Sequence, residues 1–183
     1  DTKGSYNTAI GDVALATQNF TSATSSYNTA VGASAGTSVT TGQFNTLIGA
    51  LSGDAITTSG YNTGIGWDSL GANTTGEVQV AVGVSALRAN TTGTQNTAVG
   101  GNSMYANTEG DNNVAVGHNA LDANTTADNN TAVGKDALSA NTTGTLNTAV
   151  GKGAMAAGTT GSNNTAMGVS ALDAVLTGDD NTS

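Results

Sequence analysis

Side chains that could carry out catalysis are scarce in this chain of 183 residues. His118 is the single histidine, there is no cysteine, and the 15 serines include none with the histidine and acid partners that a catalytic triad needs. The 26 glycines contain no G-x-x-x-x-G-K-[ST] phosphate loop. The sequence therefore predicts a protein that is not an enzyme, with no catalytic residue and no cofactor.

Three oxygen-rich triplets, which begin at Asp111, Asp128 and Asp179, have the residue types that bind Ca²⁺. Neutral residues stand at most of the equivalent positions, so turns capped by Asx hydrogen bonds are the better interpretation and no metal site is predicted. Asn-Thr-Thr strings match glycosylation acceptors, but they recur with a fixed period that indicates a structural role. Their first residues are Asn73, Asn90, Asn124 and Asn141.

Charge and composition exclude several classes of protein. The formal net charge is −9, and four Lys and Arg residues cannot provide the basic surface that nucleic acid requires. Thr, Ala, Gly, Asn and Ser make up 123 of the 183 residues and aromatics only 4%, too little bulk for an ordinary globular core. No apolar run is long enough for a transmembrane helix, so no membrane insertion is expected.

An internal repeat dominates the chain. Its unit, written from the first Asn, is N-T-A-V-G-x-x-A-L-x-A-N-T-T-G-x-x, and its positions are called places one to seventeen below. The first fifth-place glycines are 21 residues apart and the next eight spacings are all 17, which indicates a four-residue insertion near residues 21–26. Residues 1–183 are thus predicted to form a single array of about ten coils. An eleventh unit begins at Asn181, so we expect a fragment of a longer fibre protein. The glycines are Gly11, Gly32, Gly49, Gly66, Gly83, Gly100, Gly117, Gly134, Gly151 and Gly168.

A parallel β-solenoid with one unit per coil is the fold that this period predicts. Seventeen residues are too few for a helical hairpin, and the T-A-V stretch alternates as a strand does. The ninth place is Leu or Met in eight units, and where Gly36 and Gly53 replace it, Val39 and Ile56 follow three places later as compensation. Glycines at places five and fifteen are predicted to supply turns with positive φ.

The fourth place is apolar in all ten units, so it is predicted to face the interior together with place two. On this basis Val116→Asp should destabilise the array more than a substitution at Asn119. The third place would then face outwards, and its small side chains would let another chain approach closely. This predicts a parallel homotrimer that associates through a column of alanines. They are Ala81, Ala98, Ala115, Ala132, Ala149 and Ala166.

Four aromatic residues precede the unit's Asn in the first coils: Tyr6, Tyr27, Phe44 and Tyr61. In a solenoid they would stack in one column. Such a column could bind sugar rings, support the coils that have Gly at place nine, or form a junction with a neighbouring domain.

The repeat resembles those of two families of fibrous proteins. The string N-T-A-V-G-x-x-A-L-x-A, at 130–140 and 147–157, is similar to the head repeats of trimeric autotransporter adhesins, and the longer form with N-T-T-G is similar to repeats of phage tail fibres. The resemblance extends from Tyr6 to Thr182. It implies a left-handed parallel β-roll of three chains side by side, used as a spacer or an adhesive head. This chain departs from the adhesin heads in its longer unit with an inserted Asn-Thr-Thr.

Three functions remain open at this point. The first is a structural fibre segment on a virion tail or bacterial surface, outside the cell, which associates with itself and holds a receptor-binding region away from the particle. In that function, carbohydrate or receptor binding would belong to adjacent domains. The second function is carbohydrate adhesion by the coils themselves. The third, which is the main alternative to the first, is an ice-binding solenoid with Thr and Asn columns, for which thermal hysteresis is the test. Its Thr column comprises Thr41, Thr58, Thr75, Thr92, Thr126, Thr143 and Thr160, interrupted by Glu109.

Overall fold

The computed structural model describes residues 3–173 and 177–183, and it confirms the predicted all-β parallel solenoid. Each 17-residue unit forms one coil, about ten coils stack along the axis, and the described residues contain no helix. The strands are β1 (Gly4–Ser5), β2 (Thr8–Ile10), β3 (Thr24–Ser25), β4 (Thr29–Val31), β5 (Thr46–Ile48), β6 (Thr63–Ile65), β7 (Val80–Val82), β8 (Thr97–Val99), β9 (Val114–Val116), β10 (Thr131–Val133), β11 (Thr148–Val150) and β12 (Thr165–Met167).

Ten of these strands form one parallel sheet in the order β12-β11-β10-β9-β8-β7-β6-β5-β4-β2. The register is one repeat unit, so that Ala132 of β10 pairs with Ala115 of β9 and with Ala149 of β11. Equivalent residues therefore form columns along the rod, with about 4.8 Å between neighbours. The longer first coil adds β1 and β3, which pair with each other, and it buries Phe20.

Backbone hydrogen bonds join the coils outside the sheet as well. The Leu121 N–H donates to the Ala137 carbonyl at 2.9 Å, on the side of the coil that has no regular strand. Thirteenth-place threonines add a side-chain bond, as where the Thr142 hydroxyl donates to the Thr159 carbonyl at 3.1 Å. These bonds satisfy the polar backbone groups that a narrow interior would otherwise leave unpaired.

The strands alternate as predicted, but the two faces are reversed. Ala115 and Ala132 at place three are fully buried, whereas Val116 at place four keeps 37% of its surface exposed. The predicted inward position of the fourth place is therefore wrong, and the third-place alanines cannot form a contact face between chains. The physical reason is space, because the interior already contains the ninth-place side chains and two columns of Asn, and only a small residue fits beside them. The alanines buried in this way are Ala81, Ala98, Ala115, Ala132, Ala149 and Ala166.

Ninth-place Leu and Met side chains form the centre of the core. They are buried in a continuous cluster together with the alanines of places three and eight. Their backbone has positive φ, 55° at Leu121, a conformation that costs an L-residue about 1–2 kcal/mol. Packing in the core must offset that cost in every coil. The buried members are Leu70, Leu87, Met104, Leu121, Leu138 and Met155.

Two coils near the N-terminus fill the same space differently. Val39 and Ile56 are fully buried where Gly36 and Gly53 occupy place nine, which confirms the predicted compensation. Leu47 at place three also takes part, since a Cβ on Gly53 would lie 2.7 Å from Leu47 Cδ2. The volume removed at place nine is therefore filled from two other places.

Fifth-place and fifteenth-place glycines are needed for different reasons. Gly117 at place five has φ of 142°, as predicted, and a Cβ there would lie 2.4 Å from the Gly134 carbonyl oxygen. Gly144 at place fifteen does not have positive φ, so that prediction is wrong. A Cβ on Gly144 would lie 2.2 Å from the Gly161 carbonyl oxygen, and this close approach of coils is what favours glycine.

Candidate functional site

The outer face of the ten-stranded sheet is a uniform surface formed by places two and four. Place two is Thr in eight coils and Val in the other two, at Val80 and Val114, while place four is Ile, Val or Met in all ten. The parallel register lines these residues up in two columns, about 43 Å long, that contain no charged residue. We call this surface the outer sheet face.

Apolar side chains on the outer sheet face are accessible to solvent. Ile10 and Met167 at its ends are 60% and 67% exposed, and Ile48 and Ile65 within it remain partly exposed. Continuous apolar surface of this kind is typical of a contact with another molecule. The fourth-place column consists of Ile10, Val31, Ile48, Ile65, Val82, Val99, Val116, Val133, Val150 and Met167.

His118 and the acids of the oxygen-rich triplets have separate surroundings that suit surface exposure and backbone capping. His118 lies exposed at place six, in the same column as Lys135. The carboxylate of Asp128 accepts a hydrogen bond from the Asp111 N–H at 2.7 Å, and Asp111 accepts one from the Thr94 N–H at 2.6 Å. Asp179 does the same for the Ser162 N–H at 2.6 Å, so these acids cap the backbone of the preceding coil. Within 3–173 and 177–183 no group of three or more His, Asp or Glu side chains could hold a metal ion.

Asparagines of the Asn-Thr-Thr strings are structural. The Asn90 side-chain amide donates to Asn73 Oδ1 at 2.8 Å and to the Gly93 carbonyl at 3.0 Å, and Asn107 repeats the arrangement one coil later. These amides are buried and engaged, so they are unavailable for glycosylation in the folded chain or for contact with ice. The first-place asparagines are buried too, and the predicted Asn column of an ice-binding surface is therefore wrong.

Threonines of places thirteen and fourteen differ in their environment. Thr142 at place thirteen uses its hydroxyl for the bond to the next coil, whereas Thr143 at place fourteen is exposed. The fourteenth-place Thr column therefore faces solvent, and Glu109 interrupts it.

The four aromatic residues stack as predicted. Ring centroids are 5.0 Å apart for Tyr6 and Tyr27, 5.6 Å for Tyr27 and Phe44, and 4.9 Å for Phe44 and Tyr61, with interplanar angles of 15° or less. The ring faces are turned toward one another along the rod, so a ligand can reach the edges of the column and its two end faces. Stacking of a sugar ring on this column is therefore limited to its ends.

A second side of the rod carries a cluster that the repeat analysis missed. Asp54, Trp67, Asp68, Gly71 and Arg88 line a depression of about 470 Å³, which we call the Trp67 depression. Its charged and aromatic residues stand at places six, seven and ten of three consecutive coils, which are variable places of the repeat. Because these places differ from unit to unit, the repeat pattern contains no signal that groups them.

Ionic contacts organise one wall of the Trp67 depression. The Arg88 guanidinium donates through Nε to the Asp68 carboxylate and through Nη1 to Tyr105 Oη at 2.9 Å, and it lies 5.6 Å from the centre of the Tyr105 ring. Hydrogen bonding to Asp68 and its charge raise the pKa of Arg88. Burial raises the pKa of Asp54, and the nearby charge of Asp68 adds to this effect. Asp54 Oδ1 is buried with no hydrogen-bond partner.

Across the described residues, no helix has the length and apolar character needed to cross a membrane. Comparison with protein families, with curated proteins and with solved structures gave no match to this chain.

Proposed function

We propose that the chain is a non-catalytic structural segment of an extracellular fibre, the shaft or head of a phage tail fibre or a bacterial surface adhesin. Stacked coils would hold a receptor-binding region away from the particle, with the number of repeats setting the reach. The observation that supports this most is the uniform hydrogen bonding between successive coils, which makes the array a continuous rod of repeated units.

The partner in this proposal is further copies of the same chain, three of them side by side, in contact through the outer sheet face. That face supports the proposal because it carries no charged residue and its fourth-place column is apolar along about 43 Å. The contact surface predicted from the sequence is the column of third-place alanines. It lies inside the coil and therefore cannot contact another chain.

Molecular mass in solution tests the assembly, by light scattering coupled to size-exclusion chromatography. A trimer has three times the chain mass of 17.7 kDa. The double variant Val116→Asp and Val133→Asp places two carboxylates on the outer sheet face and should return the mass of a monomer. The matched control is Thr126→Asp with Thr143→Asp, at the exposed fourteenth place where Glu109 already carries an acid. A folded monomer for the unmodified chain would reject the assembly.

Ice binding is the second candidate, and the regular threonine spacing favours it. The outer sheet face and the fourteenth-place column both present Thr at about 4.8 Å intervals, interrupted by Val80 and Val114 in the first and by Glu109 in the second, on surfaces of low charge. Thermal hysteresis of the purified chain distinguishes the two functions, since a fibre segment should give none. Loss of hysteresis in the double variant on the outer sheet face, but not in the fourteenth-place control, would assign the ice-binding surface.

A further inference from the structure

The Trp67 depression is a gap in a column of side chains. Place ten carries Asp54, Gly71 and Arg88 in successive coils, so the glycine leaves one coil without a side chain between an acid and a base. The flanking backbones are two coil spacings apart, about 9.6 Å. A Cβ on Gly71 would lie 2.1 Å from Asp68 Oδ1, so the Asp68 carboxylate occupies the base of this gap.

Three kinds of surface meet there. Trp67 is 51% exposed and supplies the apolar wall of the depression. The Asp68 carboxylate accepts from Arg88, and the Asp54 carboxylate, whose Oδ1 has no partner, is a further acceptor. Arg88, whose side chain is 45% exposed, keeps donors beyond the two that bind Asp68 and Tyr105. A concave site of several hundred Å³ with an aromatic wall and a few polar groups is typical of small-molecule binding.

The charge of the depression narrows the class of ligand. Asp68 neutralises Arg88, and Asp54 leaves a net charge of −1 in a chain whose net charge is −9, so an anionic ligand would be repelled. A simple cation would use the acceptors but would be repelled by the guanidinium. Hydroxyl groups donate and accept, and they can therefore use both the carboxylates and Arg88.

We propose that the Trp67 depression binds one pyranose ring of a neutral saccharide, with the C–H face of the ring on the Trp67 indole and its hydroxyls on Asp54 and Arg88. Aromatic faces carry partial negative charge and attract the slightly positive C–H groups of such a ring. The binding site does not depend on the proposed fibre function, because a single rod would carry it as well.

Trp67 is the only tryptophan of the chain, so its fluorescence reports on this depression alone. We would titrate the unmodified protein with the methyl glycosides of glucose, galactose, mannose and N-acetylglucosamine, with sorbitol as the acyclic control and choline as the cationic control. At least one pyranoside should give a saturable change with half-saturation at millimolar concentration, as expected for a ligand of one ring. Failure of all four to saturate, or saturation by choline alone, would overturn the proposal.

Asp54→Asn and Asp122→Asn form a matched pair of variants. Both acids stand at place ten and burial raises the pKa of both, but Asp122 lies four coils away, about 19 Å along the rod. Asp54→Asn should weaken binding of the saccharide about tenfold, because a hydrogen bond to a charged carboxylate becomes one to a neutral amide, whereas Asp122→Asn should leave it unchanged. Equal affinities in the two variants would show that Asp54 does not bind the saccharide and would contradict the proposal.

Saturation-transfer NMR on the unmodified protein checks the stacking of the ring on Trp67 directly, because the C–H groups on one face of the ring should receive the strongest signal.

Discussion

Asn147 and Asn130, one repeat apart, are joined by a hydrogen bond of 2.9 Å from the Asn147 backbone N–H to Asn130 Oδ1. The Asn130 side-chain amide also donates to the Gly144 carbonyl at 2.8 Å, fourteen residues later in its own coil. One buried side chain therefore closes its own coil and attaches it to the next. The same two bonds recur at place one along most of the rod, so this residue links the repeat sequence to the stacking of coils.

Replacing Asn130 by Ala should destabilise the fold strongly. The change leaves the buried Asn147 N–H without its partner, which costs about 1–3 kcal/mol. It also removes one of the two donors to the Gly144 carbonyl, which keeps the bond from the Asn141 side-chain amide at 3.0 Å, and a lost bond of this kind costs about 0.5–1.5 kcal/mol. We expect the free energy of unfolding, measured by chemical denaturation, to fall by about 2–4 kcal/mol.

Asn130→Gln is the control for this prediction. Gln79 stands naturally at the same place, where its side chain accepts from the Asn96 N–H at 3.1 Å and donates to the Gly93 carbonyl. The Gln variant should therefore keep most of the stability. A loss as large as that of the Ala variant would contradict the assignment of the two hydrogen bonds.

The repeat period and the alternation in the sequence were enough to predict the solenoid, the coil length, the buried ninth place and the aromatic stack. They could not predict which side of the strand faces inwards. A column of Val on one side and Ala on the other suggests that Val is buried, and hydrophobicity alone favours that choice. The choice at Ala115 and Val116 is instead decided by volume, because Leu121 and the buried asparagines leave room for a methyl group only.

Aspartate substitutions at these two neighbours give a direct test of the facing. Ala115→Asp places a carboxylate in the closed interior, where an unpaired charge costs several kcal/mol. Val116→Asp places it on the outer sheet face, where water can reach it. Denaturation should thus show a large loss of stability for Ala115→Asp and a much smaller one for Val116→Asp. If Val116→Asp lost more stability than Ala115→Asp while its mass in solution stayed the same, the fourth place would face the interior after all.

The Trp67 depression was beyond prediction for a different reason. A repeat is recognised by what its units share, whereas Asp54, Trp67 and Arg88 stand at places that vary from coil to coil. The 17-residue period predicts that equivalent places stack, as Asp54, Gly71 and Arg88 do at place ten. It does not predict that Trp67 at place six lies beside that column, because this depends on how each coil turns.

Stability should depend on pH through Asp122. Burial raises its folded-state pKa, and the charge of Asp136 raises it further, against the opposing effects of nearby backbone N–H groups and of His118. A raised pKa means that the folded chain binds the proton more tightly, so Asp122 contributes stability below its unfolded pKa, and that contribution is lost as pH rises through the folded value. The melting temperature of Asp122→Asn, measured relative to that of the unmodified chain, should therefore rise as pH increases from about 3 to 6. A constant difference in melting temperature across this range would show that the folded structure does not raise the pKa of Asp122.

Alanine substitution of two glycines should separate backbone strain from close contact. Gly117→Ala forces an L-residue to φ of 142° and brings its Cβ to 2.4 Å from the Gly134 carbonyl oxygen, so both the backbone and the coil spacing must give way. Gly144→Ala meets a close carbonyl as well, but the backbone there does not have positive φ, and Ala127 occupies the same place in the preceding coil with 2% of its surface exposed. The chain has thus already accommodated one methyl group at place fifteen. Thermal melting, monitored by circular dichroism, should therefore show that the free energy of unfolding falls by more than about 2 kcal/mol for Gly117→Ala and by clearly less for Gly144→Ala. Equal losses would mean that the contact between coils, rather than the backbone conformation, is what requires glycine at place five.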